Sequence, residues 1–439
     1  MFARFTSISL AASILLVAAA RGQNCDMQNL TPFGNSMVAN CVSATGDVVI
    51  GYQGIANAWR WTVLAGVQGL PSLGGNAVHV PTGVSADGSV VVGTSSIAHN
   101  NLEHAFRWTV TGGTEDLGTL GGLSSYAKSV SADGSVVVGW SYTSSGAARM
   151  FRWTDSDGMQ DLGVGGGVTD VSDDGSVVVG GAGTAFRWTS ASGIQDLGTL
   201  GGTMSYAYAV SADGSTVVGV ARNAVGDERA FRWTAASAME DLGTLGGPTA
   251  SALAVSSDGS VVAGTSEDIH GHSRAFRWTV IGGMQDLGVL GWGTGSSVRD
   301  MSRNGTVVVG VVENGAEQRG FRWSVADGMQ DLGTLAAAMV GVNAVSADGE
   351  VVVGVALDNS NHTCAFRWED VQCPCDSLDF NGDGYFPDTA DIDDFLSVFA
   401  GGPCSTGTCG DLDFNNDSLF PDTLDIDSLL SVFSGGPCL

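Results

Sequence analysis

Apolar and polar residues alternate in short runs that repeat about every 45 residues from residue 27 to 372. Three blocks recur in fixed order: Val-Ser-Ala-Asp-Gly-Ser-Val-Val-Val-Gly at 130–139, Phe-Arg-Trp at 151–153 and Met-Gln-Asp-Leu-Gly at 159–163. The Phe-Arg-Trp block or its Trp-Arg-Trp variant occurs eight times. Five of the seven intervals between the final tryptophans of successive blocks are 45 residues long. A repeat of this length predicts a tandem array of one small supersecondary unit.

Each unit has the pattern of four short strands. The residues before Val-Ser form the first, and Asp-Gly supplies a tight turn because glycine tolerates positive φ. Val-Val-Val is rich in β-branched residues and predicts the second strand. Phe-Arg-Trp alternates between two faces and predicts the third, and Met-Gln-Asp-Leu the fourth. No helical period is sustained, so the region is predicted to be an all-β propeller of about eight four-stranded blades.

The two ends of the array complement each other. Residues 27–34 are a degenerate copy of the fourth-strand block, and the eighth unit stops after Trp368 without that strand. We therefore expect a closed ring in which the N-terminal strand completes the last blade and leaves no open sheet edge. An open solenoid is the alternative, but it gives no reason for splitting one unit between the two ends.

Residues 1–22 have the features of a secretory signal: Arg4 near the start, an apolar run over 8–20 and small residues at the cleavage site. That run is too short to span a bilayer, and no later stretch is long enough. We predict an extracellular or cell-surface protein without a membrane span, composed of a propeller at 23–372 and a separate domain at 373–439.

The chain is strongly acidic, with 18 basic residues, 46 acidic residues and a net charge of −28. Lys128 is the single lysine. Such a surface repels phosphate backbones and anionic lipids, which argues against nucleic acid and membranes as partners. Cations and neutral sugars remain as candidate ligands.

Eight cysteines in an exported chain predict four disulfides. Cys25 and Cys373 lie at the two cut ends of the split unit and are predicted to pair, which leaves Cys41 to pair with Cys364 by elimination. The remaining four form two bridges in the tail, Cys375–Cys404 and Cys409–Cys438.

The arginine of Phe-Arg-Trp has a structural interpretation. Folding the third strand onto the fourth is predicted to place Arg152 opposite Asp161, and the same offset pairs the corresponding residues of the other units. Cross-strand opposite charges stabilise a sheet by about 0.2–1 kcal/mol each. The alternative is a ring of arginines that binds an anionic ligand.

The tail at 373–439 is a tandem duplication with 13 Asp and no Glu, Lys or Arg. Oxygen ligands at positions 1, 3 and 5 of a loop, with a backbone carbonyl at position 7, suit Ca²⁺. The first loop offers Asp379, Asn381, Asp383 and the Tyr385 carbonyl, and the second offers Asp413, Asn415, Asp417 and the Leu419 carbonyl. An amphipathic helix follows each loop and would return Asp391 or Asp425 to the ion. A solvated acidic tail without ions is the alternative.

Two resemblances accompany these patterns. The repeat resembles the HAF family of bacterial extracellular proteins, although only His104-Ala105-Phe106 keeps the His-Ala-Phe of its name; the family implies no catalytic residues. The tail resembles a dockerin, a small helical module of paired EF-hand-related loops, which implies two Ca²⁺ ions and a cohesin-like partner. Asp391 and Asp425 stand at position 13 instead of 12, so Asp388 and Asp422 are further candidate ligands.

The sequence contains no nucleophile elbow, zinc-protease motif or phosphate-binding loop, and His270-Gly-His272 has the pattern of a solvated turn. Three functions remain open. The protein is interpreted as a non-enzymatic binding, adhesion or scaffold protein that presents the propeller to a glycan or protein and is tethered by a calcium-dependent tail. The alternatives are a polysaccharide-active enzyme of an extracellular complex, which needs converging carboxylates, and a structural surface-layer component.

Overall fold

The protein is described here by a computed structural model, which describes residues 27–31, 36–54, 57–98, 102–315, 317–335 and 340–369. The predicted signal segment, the whole predicted calcium-binding tail with all its candidate ligands, and the cysteines of the Cys25–Cys373, Cys375–Cys404 and Cys409–Cys438 pairs lie outside these residues.

All regular structure in the described residues is β-strand, arranged in eight four-stranded antiparallel sheets. The first strand is β1 (Gln28–Asn29). Blade 1 consists of β2 (Met37–Val42), β3 (Val48–Gln53), β4 (Asn57–Thr62) and β5 (Gly66–Gly69); blade 2 of β6 (Gly74–Val84), β7 (Val90–Ile97), β8 (Glu103–Thr109) and β9 (Gly113–Asp116). Blade 3 consists of β10 (Gly121–Val130), β11 (Val136–Thr143), β12 (Ala148–Thr154) and β13 (Gly158–Asp161); blade 4 of β14 (Gly167–Val171), β15 (Val177–Gly181), β16 (Ala185–Thr189) and β17 (Gly193–Asp196).

The second half of the ring repeats this plan. Blade 5 consists of β18 (Gly201–Val210), β19 (Thr216–Asn223), β20 (Glu228–Thr234) and β21 (Ala238–Asp241); blade 6 of β22 (Gly246–Val255), β23 (Val261–Asp268), β24 (Ser273–Thr279) and β25 (Gly283–Asp286). Blade 7 consists of β26 (Gly295–Met301), β27 (Val307–Glu313), β28 (Gln318–Ser324) and β29 (Gly328–Asp331); blade 8 of β30 (Val340–Val345), β31 (Val351–Leu357), β32 (Thr363–Glu369) and the N-terminal β1.

The N-terminal strand closes the ring as predicted. Strand β1 pairs antiparallel with β32, with Gln28 opposite Arg367 and Asn29 opposite Phe366. The Leu30 amide donates to the Ala365 carbonyl at 2.8 Å, and the Ala365 amide donates to the Thr31 hydroxyl at 2.8 Å. Blade 8 is thereby completed by the two ends of the array, and the eight-bladed closed propeller is confirmed.

The hydrophobic core lies between neighbouring blades. Val90 and Val92 of blade 2 pack with Val137, Phe151 and Trp153 of blade 3. The phenylalanine of every Phe-Arg-Trp block is fully buried. The valine run and the third strand thus join each sheet to the next, and burial of these side chains is the main force that stabilises the ring.

The Ser-x-Asp-Gly turn that recurs in six of the eight units is held by side-chain hydrogen bonds. In blade 2 the buried Ser85 hydroxyl donates to Asp87 Oδ1 at 2.7 Å and accepts the Val90 amide at 2.9 Å. Asp87 Oδ1 also accepts the Ser89 amide, and these hydrogen bonds hold the pKa of Asp87 below its usual range. The repeated serine and aspartate therefore build the turn between the first and second strands.

The predicted pairing of arginine with aspartate is wrong by one residue. Arg152 lies opposite Gln160, and Asp161 lies opposite Phe151. The Arg152 Nε donates instead to the Gly175 carbonyl of the next blade, at 3.3 Å, and the equivalent arginines of blades 2 and 4–7 make the same bond. The structural interpretation of the arginine holds, but its hydrogen-bond partner is the backbone of a neighbouring blade.

The predicted Cys41–Cys364 disulfide is also wrong. Both cysteines are free thiols: Cys41 lies on the innermost strand of blade 1 and Cys364 on the third strand of blade 8. The Cys41 thiol donates to the Thr82 carbonyl at 3.5 Å. Pairing by elimination failed because it took no account of where the two strands lie in their blades.

Candidate functional site

The innermost strands of the eight blades line a central channel. Each of these strands carries a β-bulge two residues before its recurring Val-Ser or Met-Ser, so one residue per blade is left out of the ladder. Bulges redirect side chains and often border functional sites. We call these eight residues the mouth ring: Asn40, Thr82, Lys128, Thr169, Tyr208, Leu253, Arg299 and Asn343.

Four members of the mouth ring tie adjacent blades together. The Asn40 side-chain amide donates to the Pro81 carbonyl at 3.0 Å, and Asn343 donates to the Ala39 carbonyl at 2.7 Å. The hydroxyls of Thr82 and Thr169 donate to the carbonyls of the following blades at 3.0 Å. These contacts are structural and leave the remaining members of the ring for other roles.

Lys128 and Arg299 differ from the rest. They belong to blades 3 and 7, which face each other across an eight-bladed ring, and both side chains are exposed. Neither forms an ion pair with any residue in the described part of the chain. Together with Thr169, Tyr208, Leu253 and Val298 they line a cavity of about 300 Å³.

The residues that directly follow the mouth ring form the next layer of the channel. We call it the aspartate layer because it contains Asp170 and Asp300. Asp170 Oδ1 accepts the Val171 amide at 2.9 Å, and its Oδ2 accepts the Val210 amide of blade 5 at 3.1 Å. Asp300 accepts the amides of Met301 and Val345 in the same way, at 2.8 and 2.9 Å. Burial raises the pKa of each carboxyl to about 6 because it disfavours the charged form, against the opposing effect of the amide hydrogen bonds.

A ring of backbone hydrogen bonds closes around the far end of the channel. The amide of one residue per blade donates to the carbonyl of the equivalent residue in the next blade, at 2.7–3.1 Å, and the last bond runs from Ala347 to Ala44. We call these residues the floor ring: Ala44, Ala86, Ala132, Asp173, Ala212, Ser257, Arg303 and Ala347. Arg303 of blade 7 forms an ion pair with Asp173 of blade 4.

A second cavity, of about 250 Å³, lies between the aspartate layer and the floor ring. Its wall consists of the valine or methionine that follows each aspartate-layer position, together with Asp170, Asp300, Asp173 and Arg303. Cys41 belongs to the same layer as Asp300, and burial raises the pKa of its thiol to about 12. The thiol is therefore neutral at physiological pH and is a poor nucleophile.

None of the metal ligands predicted from the sequence is among the described residues, so the calcium-site prediction stays a prediction. His270 and His272 lie in the loop between β23 and β24, where Asp268 accepts both backbone amides at 2.8 and 2.9 Å. Within the described ranges, no group of three or more His, Cys, Asp or Glu side chains has a metal-binding arrangement. No helix in this part of the chain is long and apolar enough to cross a membrane.

The channel residues were missed by the sequence analysis. Lys128, Asp170, Arg299 and Asp300 stand one or two residues before the Val-Ser or Met-Ser of their units, where the other units carry uncharged residues. A signal was therefore available: these are charged departures from the repeat at positions that face the channel. Reading them required knowledge of the bulge that directs them inward.

Comparisons with known proteins identify the fold only. No protein-family model matches the chain, and no curated protein matches it. A structure of a prolyl endopeptidase is 14% identical, with a TM-score of 0.50, over 80% of this chain and 58% of that enzyme. The computationally designed Ika8 protein is 18% identical, with a TM-score of 0.50, over 78% of this chain and 99% of the design.

The propeller domain of the Trilobed protease from Pyrococcus furiosus is 11% identical, with a TM-score of 0.46, over 76% of this chain and 96% of that domain. The two likenesses with a TM-score of 0.50 bear on the fold alone and say nothing of activity. The resemblance of the repeat to the HAF family remains a prediction.

Proposed function

We propose that the protein is a secreted, non-catalytic binding protein whose propeller presents the open mouth of its channel to a ligand. The observation that carries this proposal is the contrast between the repeat and the mouth ring. The recurring serines, aspartates and arginines bond within the framework, whereas the four mouth-ring residues without an inter-blade bond are all of different types: Lys128, Tyr208, Leu253 and Arg299. An irregular ring of side chains on a regular frame suits specific recognition by a rigid scaffold.

A second candidate is a carbohydrate-active enzyme, and one observation favours it: Asp170, Asp173 and Asp300 line the same cavity. Two features count against it. The cavity of about 250 Å³ is below the usual 300–1,000 Å³ of small-molecule sites. Both oxygens of Asp170 and of Asp300 already accept backbone amides, so these carboxylates support the innermost strands.

One experiment separates these functions and the structural alternative. The purified full-length chain is incubated with an array of neutral, uronate-bearing and sulfated glycans, and the solution is analysed for released oligosaccharides and, by light scattering, for self-association. Saturable binding without products supports the binding protein. Product release supports the enzyme, and self-association without any binding supports a surface-layer component.

The tail is the proposed tether. We expect it to bind two Ca²⁺ ions and a cohesin-like or cell-surface partner, on the strength of the duplicated Asp-x-Asn-x-Asp spacing. Calorimetric titration of the full chain should show two ions, and the Asp379→Asn/Asp413→Asn variant should lose both. Equal Ca²⁺ binding by the two proteins would place the ions elsewhere and remove the support for a calcium-dependent tether.

A further inference from the structure

The charge at the channel mouth is opposite to that of the molecule. The chain has a net charge of −28 and one lysine, and that lysine lies in the mouth ring with an arginine on the opposite blade. Several other arginines are engaged by the framework: Arg60 and Arg107, for example, each lie over a tryptophan of the next blade, with the guanidinium carbon 5.8 Å from the ring centre. The two unpaired cations at one cavity therefore call for an anionic partner.

The geometry favours a carboxylate over a phosphate. Lys128 offers a mobile ammonium and Arg299 a planar fork that binds carboxylate oxygens in pairs. The aspartate layer lies one residue deeper, so an incoming anion meets the negative charge of Asp170 and Asp300. A carboxylate carries a single charge, whereas a phosphate carries about −1.5 to −2 near neutral pH and is repelled more strongly.

The rest of the cavity suits a sugar ring. Leu253 is partly exposed and offers apolar surface to C–H groups, and the Tyr208 hydroxyl is a hydrogen-bonding group in the same wall. A volume of about 300 Å³ lies at the lower end of the range for small-molecule sites and fits one monosaccharide better than a longer segment of polymer.

We propose that the channel mouth binds one uronic acid residue, with its carboxylate between Lys128 and Arg299 and its ring against Leu253. The inference rests on the proposed function and names the ligand class of that binding site. The uronate is either a free sugar acid or the terminal residue of a glycan, since both present the same carboxylate and ring.

The test is calorimetric titration of the full chain with D-glucuronate and D-galacturonate, with a glycan that ends in either sugar, and with inorganic phosphate. The methyl esters of the two sugars are the neutral controls. The variants are Lys128→Gln, Arg299→Gln and the double substitution. Arg222→Gln is the control variant, because it removes the same charge from a site away from the channel. Arg222 is half-exposed and forms an ion pair with Glu228. Circular dichroism checks that each variant is folded.

We expect a uronate to bind and its methyl ester not to bind. Each single substitution should weaken uronate binding at least tenfold, the double substitution should abolish it, and Arg222→Gln should have no effect. Tighter binding of the glycan than of the free sugar identifies the glycan as the source; equal binding identifies the free acid. Affinity should fall as salt increases.

Three results would overturn the inference: no uronate binding by the natural chain, equal uronate binding by the double variant, or equal binding of ester or phosphate. The proposed function is judged separately on the glycan array. A neutral or sulfated glycan that binds without turnover, and as well to the double variant, would refute the uronate site and leave the binding function standing.

Discussion

A single glycine in each blade determines how closely the strands and the core approach. Gly139 follows the three valines of β11, and a Cβ atom there would lie 2.0 Å from the Tyr126 carbonyl oxygen and 2.9 Å from the Phe151 ring. Six further blades have a glycine that meets a backbone carbonyl and a phenylalanine ring, including Gly93, Gly219 and Gly310, and in blade 1 Trp59 takes the place of the phenylalanine beside Gly51. The repeated Val-Val-Val-Gly is thus explained by the phenylalanine that packs on the glycine.

Gly139→Ala should therefore destabilise the propeller by about 3 kcal/mol, the upper range for overpacking a core. Gly69→Ala is the matched control, because an added Cβ at this strand glycine has no neighbour within 4 Å. Thermal melting should show a clear drop for the first variant and little change for the second. Equal melting temperatures would mean that the blade tolerates a side chain at this position.

Ionisable residues in the interior make opposing contributions to stability between pH 4 and 6.5. Burial raises the pKa of Asp170 and of Asp300 from 3.8 to about 6, so protonation favours the folded state. That contribution is complete below pH 3.8 and is lost as the pH rises through about 6. His79 is buried against the Phe106 ring, and burial lowers its pKa from 6.5 to about 4. Its contribution is present above pH 6.5 and is lost as the pH falls through about 4.

The two effects can be separated by substituting residues that other blades carry at the same positions. Blades 5 and 6 carry alanine where Asp170 and Asp300 stand, and blades 3, 5 and 7 carry serine where His79 stands. Lowering the pH from 7 to 5 should stabilise the natural chain relative to the Asp170→Ala/Asp300→Ala variant, and destabilise it relative to His79→Ser. Melting temperatures measured across this range give both comparisons. Parallel curves for all three proteins would contradict the assigned pKa directions.

At the level of the strands, the arginine of the third strand joins one blade to the next. In blade 7, Arg322 Nε donates to the Gly349 carbonyl at 3.1 Å, and the guanidinium lies 5.9 Å from the centre of the Trp368 ring. The side chain is only 7% exposed. Its hydrogen bond and its cation–π contact are therefore shielded from water, which strengthens both.

Arg322→Met keeps the aliphatic stem of the side chain and removes both contacts. We expect a loss of about 1–3 kcal/mol in the free energy of unfolding. Arg222→Met is the control, since its surface ion pair with Glu228 is worth about 0–1 kcal/mol. Chemical denaturation that shows equal losses for the two variants would argue against an inter-blade role for Arg322.

The strands themselves could be predicted from the sequence, but the pairing of the third with the fourth could not. The blocks of the repeat located all four strands of a typical blade. The Arg152–Asp161 prediction failed because Thr154 pairs with Gly158 across a three-residue loop, which shifts the partner of Arg152 to Gln160. Gly158 has a φ of +66°, as expected of a glycine that ends such a loop. The length of the loop decided the register, and the composition of the strands did not reveal it.

For the molecule as a whole, closure of the ring was predictable and the site was not. The missing fourth strand of the eighth unit, supplied by residues 27–34, indicated a closed ring directly. Lys128 and Arg299 are 171 residues apart in the sequence, and only the circular arrangement places their blades opposite each other. Their place in the mouth ring depends also on the bulge in each innermost strand, which the repeat pattern does not mark.

The closed wall of the channel depends on the seam between blade 8 and blade 1. Three contacts contribute to closing the ring here: pairing of β1 with β32, the bond from the Leu30 amide to the Ala365 carbonyl within blade 8, and the floor-ring bond from the Ala347 amide to the Ala44 carbonyl at 3.0 Å. The first two complete blade 8, and the third joins it to blade 1. We therefore expect the seam to be as stable as the other junctions between blades.

Hydrogen–deuterium exchange of the full chain, read by mass spectrometry, tests this claim most directly. The closed ring predicts that peptides covering 27–31, 345–349 and 363–369 exchange as slowly as the equivalent peptides of blades 3 to 6, because their amides open only when the whole ring unfolds. Rapid exchange confined to the three seam peptides, with slow exchange in the other blades, would show an open ring and contradict the account.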